Sequence, residues 1–354
     1  MDDIIYTTPE QQLEKLKSQH LTIADEEFAK VALNVYGYSN LIKSYRDPYV
    51  IISNGQKNYR SGISFDQLYS LYILDKNLRN AVMASMLDLE EHIKEATASI
   101  VANSFGVHQN DYLKYANYRN KKKSKPRFRL SGILDTMTKA LDTDKDPIHH
   151  YNTEHGIVPP WILFKSIYFS TIVNFIDLLK VPEQEALTKK LYDVESLNLP
   201  LSSIRKLMMD TFYICLEYRN IAAHGGRTYN YVSKNQLRTE EIFGPSAQMP
   251  TVGFSQLLFL LDMLKYADPY IELKSELDKE VNRHCNLFPQ DVTYLGQILN
   301  MNIISRKVVY VSEKSNKYHG NPHCSGIKNS NKMELEEAKK RGLTPCKRCC
   351  PNTQ

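Results

Sequence analysis

SFDQLYSLYILDKNLRNAVMASMLDLEEHIKEATASIVANSFG, residues 64–106, repeats apolar side chains at spacings of three and four. That spacing places them on one face of an α-helix. Ser64 and Gln67 match the first and last positions of a capping box, and Gly106 is a stop signal. The stretch therefore predicts one long amphipathic helix, or two nearly collinear ones, as the spine of the fold. The predicted buried face consists of Leu68, Leu71, Leu74, Leu78, Val82, Met86, Leu89, Ile93, Ala96 and Ile100.

Helical patterns also lie on both sides of this spine. Thr8-Pro9-Glu10-Gln11 is a second capping box, with proline at the first helical position. Residues 45–59, which contain Asn54-Gly55, suggest a loop or hairpin. Because no segment before residue 300 alternates polar and apolar residues over the length of a strand, the body is predicted to be all-α. Further helical periodicity covers residues 161–179, 184–191, 199–224, 254–266 and 270–281.

The composition is that of a globular chain whose positive charge is concentrated at one end. Hydrophobic residues make up 42% and charged residues 24% of 354 positions, which excludes disordered and fibrous classes. From Arg306 onward eleven basic residues accompany four acidic ones, whereas the preceding part holds 34 basic and 36 acidic residues. The basic tail indicates nucleic-acid binding, with a solvated basic surface as the alternative.

No segment predicts export or a membrane span. The first residues, MDDIIYTTPE, lack the basic flank and apolar run of a signal peptide. The most apolar stretch, residues 161–179, contains Lys165 and Asp177 and falls short of the roughly 20 apolar residues that a transmembrane helix needs. We therefore expect a cytoplasmic protein with no membrane partner and with reduced cysteines.

The sequence RNIAAHGGR, residues 219–227, ends a predicted helix at two glycines. Asn220 and His224 lie four residues apart and share a helix face, and Arg219 flanks that face. Histidine suits proton transfer near neutral pH, and arginine offers a planar fork for phosphate oxygens. These residues fit metal-free RNA cleavage, in which a ribose 2′-OH attacks the adjacent phosphodiester. A structural interpretation is also open, because His and Arg at helix ends often cap the last carbonyl groups.

Seven basic residues and no acidic one lie in RNKKKSKPRFR, residues 119–129, next to Tyr118 and around Phe128. Cations contact phosphates while aromatic rings stack on unpaired bases, so this segment is a candidate RNA contact. A solvated loop is the alternative interpretation. The candidate RNA-binding residues are Arg119, Lys121, Lys122, Lys123, Lys125 and Arg127, together with Arg227 beyond the helix end.

The sequence resembles the Abi-like abortive-infection proteins of bacteria, within the HEPN superfamily. The resemblance covers about residues 5–300 and rests on TTPEQQLEKLKSQHLTI, on the long helix, on PPWILFKSIYFSTIVNF and above all on EYRNIAAHGGRTYN. HEPN ribonucleases are helical bundles with an R-x4–6-H motif, commonly with Asn after the Arg, and Arg219, Asn220 and His224 match it. The chain departs from the common pattern at Gly225, where relatives often have a second His or a bulky residue, and at LEEHIKEA, where an acid–apolar–Arg pattern is common.

The resemblance implies a metal-independent endoribonuclease that acts in anti-phage defence or as a toxin and leaves a 2′,3′-cyclic phosphate. It also implies a homodimer, because HEPN active sites are composites of two facing motifs and this chain has one R-x4-H motif. RNA is then the substrate, and an antitoxin or a regulatory RNA is a further candidate partner. The alternative is a non-catalytic RNA-binding or regulatory HEPN protein. A metal-dependent nuclease is disfavoured because a paired-carboxylate signature is missing.

Four of the six cysteines lie in the last 31 residues, at positions 324, 346, 349 and 350. Cys346 and Cys349 form a C-x2-C pair after a turn, which is half of a typical zinc site. The other half is predicted to be Cys324 with His319, or with His323 as the less favoured choice, and Cys350 is a spare or substitute ligand. A tail of about 50 residues buries too little surface to fold easily alone, and structural Zn²⁺ would stabilise it. Redox chemistry or plain packing is the alternative role.

The tail also resembles small bacterial domains with the pattern YH…C…EEAKKRG…PCxxC, similar to the zinc-binding module of the Ada DNA-repair protein. Val308–Val311 predicts a short strand, and residues 334–341 predict a short helix stopped by Gly342. The predicted organisation is an all-α, HEPN-like helical bundle in residues 1–300, followed by a small metal-binding α/β domain in residues 305–354.

Overall fold

A computed structural model of the chain describes residues 5–53, 55–247, 252–303, 308–313, 315–320, 324, 327 and 329–350. The helices are α1 (Pro9–Ser18), α2 (Glu26–Tyr36), α3 (Phe65–Phe105), α4 (Gln109–Tyr112), α5 (Leu130–Leu141), α6 (Ile148–His150), α7 (Pro160–Leu163), α8 (Phe169–Leu178), α9 (Val181–Leu191), α10 (Val194–Leu197), α11 (Leu201–Ala223), α12 (Thr239–Phe243), α13 (Phe254–Asp262), α14 (Asp268–Leu287), α15 (Val292–Leu299) and α16 (Leu335–Lys340). The strands are β1 (Val50–Ser53), β2 (Gln56–Tyr59), β3 (Val308–Val311), β4 (Lys317–His319), β5 (Asn331–Glu334) and β6 (Thr344–Pro345). The predicted helical class with a small sheet in the tail is confirmed.

Helix α3 confirms the prediction of a single long spine, with 41 residues in one helix. Every position of the predicted apolar face is buried except Ile100, which is half-buried. Ser64 Oγ accepts a hydrogen bond from the Gln67 N–H, as the capping box predicts. The second half of that box is wrong, because the Gln67 side-chain amide donates to Asp291 at 2.9 Å. A buried carboxylate is a stronger acceptor than a backbone group and takes the amide away from the helix end.

The strict all-α prediction for the body is wrong in one segment. β1 and β2 form an antiparallel hairpin in which Val50 is opposite Tyr59 and Ser53 is opposite Gln56. The sequence had left this segment open between a loop and a hairpin. Strands of four residues are too short for polar and apolar residues to alternate convincingly, so periodicity could not identify them.

The chain forms two compact units, and the predicted domain boundary between residues 300 and 305 stays a prediction. The first unit comprises residues 1–74, 278–297 and 301–354, and the second comprises residues 75–277 and 298–300. In the second unit α11 packs against α8, α9 and α13. This packing buries much of α11 and fixes the direction in which its C-terminal end leaves the unit's core.

The first unit contains a buried polar network. His284 contacts Asp291 through Nε2 at 2.8 Å and Ser70 Oγ through Nδ1 at 3.0 Å, and the Tyr49 hydroxyl donates to Asp291 at 2.7 Å. Ser, His and Asp in contact suggest a hydrolytic triad, but these three residues are 5%, 0% and 4% exposed. No substrate can reach the Ser70 hydroxyl at that burial, so the network stabilises the unit.

The tail forms a four-stranded sheet in the order β5-β3-β4-β6, in which only the pairing of β4 with β6 is parallel. The predicted strand is β3, and the predicted helix is α16, which packs against β3 and β5. The apolar core of the tail is small and consists of Val309, Val311, Tyr318, Leu335 and Ala338.

Candidate functional site

The end of α11 places Arg219, Asn220 and His224 on its last turns, as the sequence predicts. The His224 N–H donates to the Asn220 carbonyl at 3.1 Å, and the chain then turns sharply at Gly225, whose φ is +71°. A Cβ on Gly226 would lie 2.9 Å from Ile221 Cγ2. Gly225 supplies a conformation that side chains disfavour, and Gly226 supplies the close approach, so both glycines end the helix directly after the motif.

The three side chains of this motif are not engaged by the rest of the described chain. Asn220 and His224 are exposed and Arg219 is half-buried. No hydrogen bond or ion pair within the described residues involves the side chains of Asn220 or His224. The Nε atom of Arg219 is buried and lacks a hydrogen-bond partner there. An unpaired guanidinium nitrogen costs free energy, and an anionic ligand would remove that cost.

Asp75 on α3 holds the segment that follows the motif, and it is not among the site residues predicted from the sequence. Its Oδ1 accepts from the Thr228 N–H at 2.8 Å, the Thr228 hydroxyl at 2.7 Å and the Tyr229 N–H at 3.0 Å. Its Oδ2 lies 3.3 Å from Arg79 Nη1, and Asp75 itself is fully buried. Arg227 directly precedes the held residues. The signal was present in the sequence, because Asp75 is a charged residue beside the apolar face of the long helix.

Glu217 provides a second attachment, two residues before the motif. Its Oε2 accepts from the Tyr231 hydroxyl at 2.8 Å, the Ser233 hydroxyl at 2.8 Å and the Lys234 N–H at 2.7 Å. Its Oε1 accepts from Asn235 at 2.6 Å. The two carboxylates, Asp75 and Glu217, therefore fix the chain on the far side of the glycines, so the surroundings of the motif are ordered by contacts that periodicity does not reveal.

The basic segment 119–129 divides into an inner and an outer set of cations. Arg119 Nη2 donates to the Asp177 carbonyl at 2.8 Å, Lys121 Nζ lies 2.8 Å from Asp177 Oδ1, and Lys123 contacts Oδ2. Burial raises the pKa of Asp177, but the hydrogen bonds from Lys121 and Lys123 outweigh it, and the net shift is downward. Asp177 is thus the counterion that holds the segment on the unit.

The outer cations of this segment, Lys122, Lys125 and Arg127, are exposed. Half of the predicted RNA contacts in the segment are therefore bound to the protein itself, and half face solvent. Which of them contact RNA stays a prediction. Tyr118 is buried, so among the aromatic residues of the segment it does not offer a stacking surface.

The tail brings His319, Cys324, Cys346 and Cys349 together, which is the predicted ligand set. One ligand atom from each lies within 4.8 Å of the others. Cys324 Sγ and Cys346 Sγ are 4.0 Å apart, and Cys349 Sγ is 3.6 Å from His319 Nδ1. Tetrahedral zinc with bonds of about 2.3 Å to sulfur and about 2.0 Å to nitrogen needs separations of about 3.8 Å and 3.5 Å. The cluster fits a tetrahedral metal ion.

The protonation of the cluster also fits a metal ligand set. Hydrogen bonds from the backbone N–H groups of Arg348 and Cys349 lower the pKa of the Cys346 thiol, which favours the thiolate. Burial lowers the pKa of His319, and Lys317 acts in the same direction, which favours the neutral imidazole. Thiolate and neutral imidazole are the forms that bind metal.

The structure bears differently on the two alternative metal ligands, His323 and Cys350. His323 lies outside the described residues. Cys350 packs against the apolar core of the tail and does not belong to the group whose ligand atoms converge. A Cβ on Gly320 would lie 3.0 Å from the Cys349 carbonyl and 3.3 Å from Cys350 Sγ. A side chain directly after β4 would therefore crowd the C-x2-C turn, which favours glycine there.

These features define a predominantly helical protein with an exposed Arg–Asn–His helix end and a Cys/His cluster that can bind a metal. The sequence profile of the Abi-like protein family matches residues 31–230, more than half of the chain. The chain therefore belongs to the Abi-like protein family, as its motifs indicated, and the family points to a function of the abortive-infection type. The matched range includes Arg219–His224 and not the tail. No curated protein and no solved structure gives a significant match.

Over the residues that the structure describes, no helix combines the length and the apolar character required to cross a bilayer. This finding agrees with the interruption of residues 161–179 by Lys165 and Asp177.

Proposed function

We propose that this Abi-like protein is a metal-independent endoribonuclease of the HEPN type, acting in anti-phage defence or as a toxin. The observation that carries the proposal is the solvent-facing set of Asn220 and His224 beside Arg219, whose buried Nε has no partner among the described residues. A guanidinium available for phosphate and an imidazole available for proton transfer are the two groups that this cleavage requires.

The proposed reaction uses a single ribose-phosphate linkage. His224 accepts the proton of the 2′-OH, whose oxygen then attacks the adjacent phosphorus. Arg219 stabilises the negative charge of the phosphorane with a planar pair of N–H donors. The bond to the 5′-oxygen breaks, a protonated imidazole donates a proton to that oxygen, and the products are a 2′,3′-cyclic phosphate and a 5′-hydroxyl. Asn220 orients the imidazole or a phosphate oxygen.

The proposal includes a homodimer. One motif supplies one histidine, whereas the reaction needs a base and an acid. Two copies of α11 meeting around a two-fold axis would provide both at once, so that each histidine keeps one role. Lys122, Lys125 and Arg127 are exposed cations that would contact the RNA backbone, and a regulatory RNA or antitoxin would restrain the enzyme in healthy cells.

We further propose that the Cys/His cluster holds structural Zn²⁺. Three thiolates and one imidazole complete a tetrahedral shell from the protein alone, which leaves no position for a catalytic water. The ion would stabilise a tail whose apolar core is small. Proton transfer and phosphate binding at the end of α11 use side chains of the protein and require no cofactor.

The test is cleavage of end-labelled RNA by the purified full-length chain, in buffer without added divalent ions and again with EDTA. We expect cyclic-phosphate ends, and we expect His224→Ala and Arg219→Ala to lower the rate by about 10²–10⁴-fold. His155→Ala removes an exposed histidine of the same unit and serves as the matched control. Equal rates for His224→Ala and His155→Ala would disprove the catalytic assignment, and RNA binding without cleavage by the wild type would identify a regulatory RNA-binding protein.

A further inference from the structure

A concave basic surface in the first unit has no role in the proposed cleavage. It is a cavity of about 450 Å³ formed by α1, the turn after α2 and the β1–β2 hairpin. Its charged lining residues are Lys15, Lys43, Arg46 and Lys57, and the remaining lining residues are polar or glycine. We refer to it as the basic pocket.

The basic pocket concentrates positive charge without a counterion. Within the described residues, none of its four cations takes part in an ion pair, and its lining includes no acidic residue. Elsewhere on α1 the situation differs, because Lys17 lies 2.9 Å from Glu14 and 2.8 Å from Glu26. Like charges that share a concave surface repel one another, and this repulsion is relieved when an anion binds.

The floor of the basic pocket contains a desolvated cation. Arg46 is half-buried, its side chain lies beside the Tyr38 hydroxyl, and its Nε has no hydrogen-bond partner of standard geometry in the described part of the chain. Donors left without acceptors in a partly buried site are costly unless a ligand supplies the acceptors.

The walls of the basic pocket are tied together by backbone hydrogen bonds. The Tyr59 N–H donates to the Gln19 carbonyl at 2.8 Å and joins the hairpin to the end of α1. The Arg60 N–H donates to the Tyr49 carbonyl at 2.9 Å and joins the hairpin to the preceding turn. A Cβ on Gly55 would meet nothing within 4 Å, so the space beside this lining residue is open. The cations are therefore presented by a preformed frame.

We propose that the basic pocket binds phosphate groups, either those of an RNA strand or those of a free nucleotide. Phosphate matches the surface because each group carries negative charge and several acceptor oxygens, while Lys and Arg supply only donors. The volume accommodates a nucleotide unit rather than an ion alone. This inference goes beyond the proposed cleavage and does not require it, because phosphate binding here uses none of the residues at the end of α11.

The experiment compares two double variants of the full-length chain. Lys43→Gln with Lys57→Gln removes two cations from the basic pocket, and Lys139→Gln with Lys145→Gln removes two exposed cations elsewhere. Binding of a labelled single-stranded RNA is measured by fluorescence anisotropy in a His224→Ala background, which keeps the RNA intact if it is a substrate. Binding of ATP and of pyrophosphate is measured by calorimetry, and thermal melting checks that all variants are folded.

We expect the pocket variant to weaken binding of one probe by about tenfold or more, and the control variant to change it less than about twofold. If RNA is the ligand, the slope of log K against log salt falls by about 1.4 for two lost contacts. If ATP or pyrophosphate alone is affected, a free nucleotide is the ligand. Hydrogen exchange with each probe should protect residues 43–58 in the wild type.

Equal affinities of the two double variants for all three probes, without protection of residues 43–58, would overturn the inference. The cleavage assay is scored separately, on His224→Ala against His155→Ala. If the chain binds ATP in the basic pocket but does not cut RNA, the nuclease proposal is refuted and the phosphate-binding proposal is supported. If the chain cuts RNA, the pocket variant cuts it equally well and no phosphate probe binds, the nuclease proposal is supported and the phosphate-binding proposal is refuted.

Discussion

The end of α11 and the Cys/His cluster are candidate sites of opposite construction. Arg219, Asn220 and His224 lie within six consecutive residues at the end of one helix, where Asn220 and His224 are exposed and Arg219 is half-buried. The four residues of the cluster span positions 319–349, come from separate strands and turns, and converge in a largely buried place. A site made by one helix can be predicted from local geometry, but each chain then supplies only one arginine and one histidine to it. A site made by distant segments depends on the fold, but it can be complete within one chain.

This difference predicts different sensitivities. The helix end should tolerate loss of its side chains without unfolding, because Asn220 and His224 are exposed and no side-chain hydrogen bond or ion pair ties the motif to the other described residues. The cluster should not, because the tail has a small apolar core and the proposed metal ion would replace what a larger core provides. Each of the following substitutions tests one side of that contrast.

The largest effect is expected for Cys346→Ser, which removes one of three thiolates from the cluster. Structural zinc contributes about 10–16 kcal/mol in small metal-dependent folds, so the variant should lose the ion and the structure of the tail. Metal content per chain by mass spectrometry and hydrogen exchange over residues 308–350 measure both. Cys350→Ser is the matched control, because Cys350 packs on the apolar core instead of joining the ligand atoms. A metal-free wild type with an ordered tail would contradict the zinc proposal.

A smaller loss is expected for Asp75→Ala, which tests whether the helix end is as independent as its sequence suggests. The substitution leaves three donors of Thr228 and Tyr229, and the Arg79 guanidinium, without their buried acceptor. Removing one partner from a buried ion pair costs about 3–5 kcal/mol, which denaturant unfolding would detect.

The same variant should also reduce cleavage, because the chain after the glycines loses its attachment to α3. Asp66→Ala, in the first turn of α3 and only half-buried, is the comparison. If Asp75→Ala kept both wild-type stability and wild-type cleavage, the contacts of Asp75 would have no bearing on the candidate site.

The smallest effect is expected for a substitution at Asp177, which holds the basic segment 119–129. Like the helix end, this segment is continuous in sequence, but like the cluster it depends on a residue far away in the chain. The folded pKa of Asp177 is lowered from 3.8, so its contacts stabilise the protein above that pH and are lost as the pH falls through the folded value. Asp177→Asn should therefore cost about 1 kcal/mol at pH 7, and the difference from wild type should disappear on acidification below 3.8. A difference that stayed constant from pH 7 to pH 2.5 in denaturant unfolding would exclude this role of Asp177.

Prediction from the sequence succeeded where interactions between residues close together in the chain determine the local structure. The face of α3, the end of α11 at Gly225 and the capping box at Thr8 depend on neighbours within four residues, and all three are confirmed. It failed where a distant group competed. Gln67 donates to Asp291 instead of closing its capping box.

By itself the sequence determined the helical class, the family, the position of the Arg–Asn–His motif and the identity of four candidate metal ligands. The family follows from the resemblance of its motifs, and the other features follow from periodicity, spacing and residue type, which act over a few positions. Only the tertiary structure decided that Asp75 and Glu217 hold the chain beyond the motif and that His319 converges with three cysteines. It also decided that one pocket is lined by four cations that form no ion pair with any described residue. Residues far apart in sequence meet only when the chain has buried its core, and no local pattern records which of them will be neighbours.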